Sequence, residues 1–429
     1  MREMKDSGIE WIGQIPKQWK VDKLRYHLRR IEPRNPGGAT VLSLYREYGV
    51  IPKDSRDDNY NVTSEDTSKY KYVRVGDFVI NKMKAWQGSV AVSDYEGIVS
   101  PAYYVYHFMD DAFNKRYFHY LVRGCYKDEF MRLSAGIRVG QWDLPSEALD
   151  NTLMIIPPKM VQEKVADFLD AKCSEIDALT ADIEKQIETL EAYKKSVVTE
   201  AVTKGLNPDV EMKDSGIEEL GEIPTSWDIK RLKYAIDFSF KGNGITKEQV
   251  YEDGDTPCVR YGEIYFRYNI SFNKCISYTK KDAISSKQYI SYGDILCAGT
   301  GELIEEIGKS IVYLGRDNCL AGGDIIVLRH SQEPRYLSYF LNSEYAQIQR
   351  SKGKSKLKVV HISATDIGNI ITLLPPKDEQ RIIADTLDEK CAEIDSIIGN
   401  KKTQIDILTD YKKSLIYEYV TGKKEVPNE

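Results

Sequence analysis

The sequence lacks most of what marks a membrane protein, a secreted scaffold or an enzyme. No run of about 18 apolar residues occurs, so no membrane-crossing helix is expected. The N-terminal MREMKDSGIE is polar and mixed in charge, without the apolar stretch of a secretory leader. A cytoplasmic protein is expected. The seven cysteines, Cys125, Cys173, Cys258, Cys275, Cys297, Cys319 and Cys391, are scattered. They form no CxxC pair, and no histidine stands at zinc-ligand spacing from them, so buried free thiols are expected. The five histidines suggest no triad or metal set. Catalytic motifs fail on inspection. Gly308-Lys309-Ser310 resembles the end of a phosphate loop, but Leu303 stands where a glycine is required. Gly299-Thr300-Gly301 lacks the third glycine of a dinucleotide fingerprint. Asn35-Pro36-Gly37 is not the Asn-Pro-Pro-aromatic motif of an adenine methyltransferase. Pro208-Asp209 with Glu211-Met212-Lys213 has too short a spacing for a nuclease triad. A self-sufficient enzyme is therefore not expected. An excess of positive charge is missing too: 60 Lys and Arg face 66 Asp and Glu, a net charge of −6. That total argues weakly against nucleic acid.

What the chain does have is itself, twice. Residues 4–26 (MKDSGIEWIGQIPKQWKVDKLRY) return at 212–234 (MKDSGIEELGEIPTSWDIKRLKY), with more than half the positions identical. The stretch that begins Pro157-Pro158-Lys159 returns at Pro375-Pro376-Lys377. Fainter matches keep the same order between these anchors. Gly76-Asp77-Phe78 corresponds to Gly293-Asp294-Ile295, and Arg116-Tyr117 to Arg335-Tyr336. The chain is two half-molecules in tandem, with near-identical anchors and divergent middles. Such internal two-fold symmetry suits a two-fold target or a two-fold set of partners.

After each Pro-Pro the apolar residues take up a seven-residue period. One track runs Leu169, Ile176, Ile183, Leu190, and its copy runs Leu387, Ile394, Lys401, Leu408, Leu415. A second track, Cys173, Thr180, Ile187, Lys194, completes the alternating spacing of a coiled-coil seam. The prolines mark helix starts and Gly205 and Gly422 mark helix ends. Each rod should be roughly 65 Å long. The simplest way to bury two such seams is to pack them on each other, antiparallel. The alternative is that each helix lies on its own domain.

Charge is sorted along the chain. The two middles carry a slight excess of Lys and Arg, whereas the helices and the segment joining them are acidic. An acidic rod repels phosphate, so the middles are the candidates for facing DNA. They are rich in Tyr (29 in the chain against 11 Phe), with short alternating runs that read as strands and turns. A mixed α/β domain is expected in each half. Four glycine-bearing loops stand out: 82–89, 298–302, 134–142 and 351–358. Glycine lets backbone approach a phosphate, Lys and Arg neutralise it, and Arg or Gln pairs with base edges. The candidate DNA-contacting residues are Lys82, Lys84, Trp86, Gln87, Arg138, Gln141, Thr300, Lys352, Lys354, Lys356 and Lys358. A solvated flexible loop is the alternative for the four lysines.

The arm Ser7-Gly8-Ile9-Glu10-Trp11-Ile12-Gly13-Gln14-Ile15-Pro16 with Trp19, and its echo from Ser215 to Trp227, resemble the framework regions of type I restriction–modification specificity subunits. So does Pro375-Pro376-Lys377-Asp378-Glu379-Gln380-Arg381-Ile382-Ile383-Ala384. The first copy departs from it, with Met160-Val161-Gln162 in place of Asp-Glu-Gln. The resemblance covers nearly the whole chain. It implies an α+β protein: two pseudo-symmetric mixed α/β target-recognition domains joined by two long antiparallel coiled-coil helices. The corresponding segments are an N-terminal arm at 1–19, a recognition domain at 20–156, a helix at 157–204 and a linker repeating the arm at 205–227. A second recognition domain at 228–374, a helix at 375–422 and a tail at 423–429 follow. The resemblance further implies a non-catalytic reader of a bipartite double-stranded DNA target, with the helices as a ruler between half-sites. Its partners would be two adenine-methyltransferase subunits and restriction/translocase subunits. S-adenosylmethionine, ATP and Mg would lie in those partners and none in this chain. The rods would dock the partners, with Leu169, Ile176, Ile183, Leu190, Leu387, Ile394, Leu408 and Leu415 as candidate contacts. A specificity subunit of a combined restriction–methylation enzyme, or a coiled-coil scaffold that reads no DNA, are the competing readings.

Overall fold

The computed structural model describes residues 2–46, 48–56, 63–64, 66–136, 142–284, 288–301, 303–304, 307–352 and 360–427. Two units emerge: residues 1–183 with 403–429, and residues 184–402. Each is built on the same frame, and the frame is made by the repeated anchors.

In the first unit, strand Met4–Asp6 pairs antiparallel with Gln14–Pro16. The turn between them is set by short polar side chains: the Asp6 carboxylate accepts from the Gly8 amide, and the Ser7 hydroxyl from the Ile9 amide. Trp19, fully buried, follows. Strand Lys20–Lys23 then pairs with Leu153–Ile156, which closes the ends of the middle segment on each other at the foot of a long helix. The second unit repeats this with Met212–Asp214 against Glu222–Pro224, buried Trp227, and Asp228–Arg231 against Ile371–Leu374.

The middles are sheets with a core on each face. In the first unit the order is Leu28–Ile31, Tyr103–Phe108, Phe78–Asn81, Val90–Val92, all antiparallel. Phe78 and Ile80 point to helices Lys115–Cys125 and Lys127–Leu133, while Val79 points to a smaller core with Leu42, Val50 and Val73. The strand is therefore apolar at three successive positions, Phe78, Val79 and Ile80, although its side chains alternate faces. In the second unit, Ile236–Lys241, Ile325–His330, Ile295–Ala298, Ser310–Tyr313 and Ser271–Phe272 form a five-stranded sheet. Ile295 and Cys297 face helices Pro334–Asn342 and Glu344–Ser351, and Leu296 faces the other core. All seven cysteines are buried free thiols.

The long helices span Lys159–Lys204 and Lys377–Val420. They lie against each other and run antiparallel. Within the first unit, Lys412 bonds Asp177 at 2.6 Å. Within the second, Lys194 bonds Asp395 at 2.6 Å and Lys401 bonds Gln186 at 2.5 Å. Lysines at seam positions thus find polar partners on the opposite helix. A polar seam residue that is satisfied in one alignment only fixes register. Among the described residues no helix is long and apolar enough to cross a membrane.

The helix ends dock at equivalent places. Gly422 takes φ +70° and Gly205 φ +82°, the left-handed turn that ends a helix. Gly422 sits over Trp19, where an added Cβ would come within 2.6 Å of the indole and 2.7 Å of Pro16. Gly205 sits beside Trp227, where the closest approach is 3.3 Å. Gly422→Ala is expected to cost about 2–4 kcal/mol, from a left-handed alanine plus overpacking. Gly205→Ala should cost about 1–2 kcal/mol, from the backbone alone. Scanning calorimetry of the two variants checks this. Equal shifts, or none for Gly422→Ala, would contradict it.

Candidate nucleic-acid interface

In the first unit, two loops singled out separately in the sequence come together. The loop after strand Phe78–Asn81 turns at Gly88, φ +88°. Its Trp86 packs on Trp142, ring centroids 5.5 Å apart. The Leu144 amide donates to the Lys82 carbonyl at 3.0 Å, and the Lys82 ammonium bonds Asp143 at 3.0 Å. Ala135 and Asp143 exchange backbone hydrogen bonds at 3.1 and 2.9 Å. Lys82 is tied down, its pKa raised by the Asp143 hydrogen bond against partial burial. Lys84 is exposed, and Trp86 and Gln87 are half-buried. Arg138 and Gln141 lie outside the described residues. Among the described residues of these two loops, Lys84 is the exposed cation, on a loop braced by two indoles.

The same place in the second unit has different chemistry. After strand Ile295–Ala298, Thr300–Gly301 pairs antiparallel with Val360–His361. The Thr300 hydroxyl lies 3.2 Å from His361 Nδ1, and its carbonyl accepts from the Tyr265 hydroxyl at 2.9 Å. A groove of about 440 Å³ opens alongside, lined by Lys241, Thr300, Asp324, His361 and Ser363. Lys352 is exposed at the end of helix Glu344–Ser351, and Lys354, Lys356 and Lys358 lie outside the described residues. Sequence reasoning missed Lys241, Tyr265 and His361. Their signal is weak because they come from three distant segments. The run Tyr261-Gly262-Glu263-Ile264-Tyr265-Phe266-Arg267-Tyr268, aromatic residues interleaved with charge, was the available clue.

Behind these surfaces the units are joined to the rods by matching contacts. Arg116 reaches Asp167 at 2.7 Å and Asp170 at 2.5 Å, and Tyr120 donates to Asp170 at 2.8 Å. In the second unit Arg335 reaches Asp385 at 2.8 Å and Asp388 at 2.7 Å, and Tyr339 donates to Asp388 at 2.8 Å. The Asp167 and Asp170 carboxylates hold the Arg116 guanidinium above its ordinary pKa. Gln162 and Gln380 explain the residue that survives in both Pro-Pro motifs. Each amide is buried, donates to the carbonyl of its first proline (Pro157, Pro375), and accepts from the amide that opens the adjacent helix (Asn114, Glu333). These groups build the frame and perform no chemistry.

The seam residues expected as partner contacts are largely enclosed by the chain itself. Leu169, Ile176, Ile183, Leu387, Ile394 and Leu415 are buried within the chain, and Leu190 and Leu408 are half-buried. The seven-residue period marks what the helices largely hide from solvent within the chain. The large apolar groups that the rods expose are others, among them Met160, Leu179, Ile382 and Ile407.

Comparison with known proteins bears on both units. Residues 33–189 and 224–406 match the family model of the type I restriction modification DNA specificity domain. The MjaVIII type I restriction enzyme specificity subunit of Methanocaldococcus jannaschii is 23% identical over 97% of this chain and 95% of its own. Among solved structures, a chain described under complex assembly and conformational transition of the type I R-M system superposes with TM-score 0.71 at 16% identity, over 96% of this chain and 99% of that one. The HsdS subunit from Thermoanaerobacter tengcongensis gives 0.52 at 16% identity, over 96% and 98%.

The indole brace generates a prediction. An aromatic pair is worth about 0.5–1.5 kcal/mol, so Trp142→Ala should speed amide exchange in residues 84–88 roughly two- to tenfold. Unchanged exchange in that loop would contradict the brace.

Proposed function

The chain belongs to the DNA-specificity subunits of type I restriction–modification systems, and from that premise we propose that it reads a two-part DNA target, one half-site per unit. One observation carries this reading: a duplicated frame holds two chemically different loop clusters at the same place in the fold. Copied frames suit copies of one partner. Divergent loops suit two different half-sites.

The subunit itself is not an enzyme and carries no cofactor; S-adenosylmethionine and ATP bind in partner subunits. In the proposed mechanism, Lys84 and Lys352 neutralise phosphates and fix register on the duplex. Polar groups such as Thr300 and His361 meet base edges. Two methyltransferase subunits dock on exposed apolar residues of the rods and flip the target adenine, since the base cannot be reached in the stack. Restriction/translocase subunits join that assembly.

The test is sequencing of N6-methyladenine in host DNA with and without this gene. One split motif should lose methylation on deletion. If every motif stays methylated in a strain that expresses the assembled complex, the chain is a scaffold. Lys84→Ala offers a finer check. It should weaken binding of the complex to all duplexes alike and lower the salt slope of log K by about 1. An unchanged slope removes Lys84 from the interface.

A further inference from the structure

The short helix Tyr261–Phe266 stands over a second groove of the second unit, of about 700 Å³. Phe266 is 86% exposed, the most exposed large hydrophobic side chain among the described residues. A phenyl ring so exposed, whose one aromatic neighbour among the described residues is the Tyr265 ring at 6.3 Å, is what an aromatic contact residue looks like before its ligand arrives. Exposed Arg267 follows it, and exposed Lys247 lies on the opposite rim.

The platform beneath is rigid. Glu263 is buried and fully engaged: it accepts from the Arg260 amide and guanidinium, both at 3.1 Å, and from Ser277 at 2.5 Å. That carboxylate and the Arg260 guanidinium neutralise each other, which leaves Lys247 and Arg267 against one exposed carboxylate, Asp324. The floor is glycine backbone, Gly244 on one side and Gly322-Gly323 on the other. Buried Asn243 fixes it, donating from its amide to Ala321 and from its side chain to Gln288. Gly244 has nothing within 4 Å of where a Cβ would stand, so a ligand can reach the main chain.

An exposed ring flanked by cations over a glycine floor fits a sugar–phosphate strand and a base face. A protein helix would need an aliphatic wall, and Ile245 is the one aliphatic lining residue described. The groove is also continuous with the surface already assigned. It shares Asp324 with the Thr300 groove, and Tyr265 of the same helix bonds Thr300. We infer that the helix Tyr261–Phe266 is a DNA-reading element of the second unit: Phe266 stacks on a base or base step of the target, and Arg267 and Lys247 hold the flanking phosphates. This rests on the DNA-reading function proposed above.

The experiment uses the assembled methyltransferase–specificity complex. Its probes are a duplex carrying the motif that the wild-type complex methylates and a random duplex of equal length. Phe266→Ala should weaken binding to the motif duplex on the order of tenfold, leave the random duplex unchanged, and be rescued by Phe266→Trp. Arg267→Ala should weaken both duplexes and lower the salt slope by about 1. Motif binding by Phe266→Ala equal to wild type overturns the inference. Loss by Phe266→Trp equal to that of Phe266→Ala overturns the stacking role. If the wild-type complex itself does not prefer the motif, the DNA-reading function fails first, and the two failures are told apart.

Discussion

Each unit closes on an indole held under a helix-ending glycine: Trp19 under Gly422, Trp227 beside Gly205. Everything else hangs from that junction. In the second unit the docking helix end and the indole are neighbours in sequence. In the first they are the two ends of the chain. Lys423 there donates to the Ile12 and Gln14 carbonyls, and Arg2 pairs with Glu425 at 2.8 Å. The left-handed turn favours glycine at both positions, and at Gly422 the close approach of Trp19 and Pro16 adds a second reason.

From the junction, contacts pass outward in a fixed order. The arm hairpin covers the indole, the next strand pairs with the end of the middle segment, and a buried glutamine ties the helix start to the helix of the sheet domain. Arginine–aspartate clusters then brace that helix against the rod. Each link recurs in the second unit with the same residue types. The loops proposed to read DNA are the exception. The first unit braces its loop with Trp86 and Trp142, and the second builds a strand pair around Thr300 and His361. A frame that holds both units repeats, whereas the loops it carries do not.

The frame was legible because its signals are local. Heptads, Pro-Pro starts and terminal glycines each declare themselves within a few residues, and duplication confirmed them. The polar residues of the heptad were also correctly placed, since Lys194 and Lys401 face the opposite helix. A heptad does not by itself say which helix fills its seam, and here that helix is one in the same chain. The interface was half legible. Glycine and lysine loops could be named singly, but no local signal says that residue 86 meets residue 142, or that Tyr265 bonds Thr300. Such contacts depend on the sheet order, which brings together segments far apart in sequence.

The central claim is that the frame is generic and the segments it carries read DNA independently. Replacing residues 232–370 by a second copy of residues 24–152 tests it most directly, because both cuts fall just inside the paired strands that close each middle. The chimera is expressed with its partner subunits, and N6-methyladenine is mapped across the genome. The account predicts a symmetric motif, the first half-site present twice and the second absent. An unchanged asymmetric motif, written by a chimera that assembles normally, would contradict it.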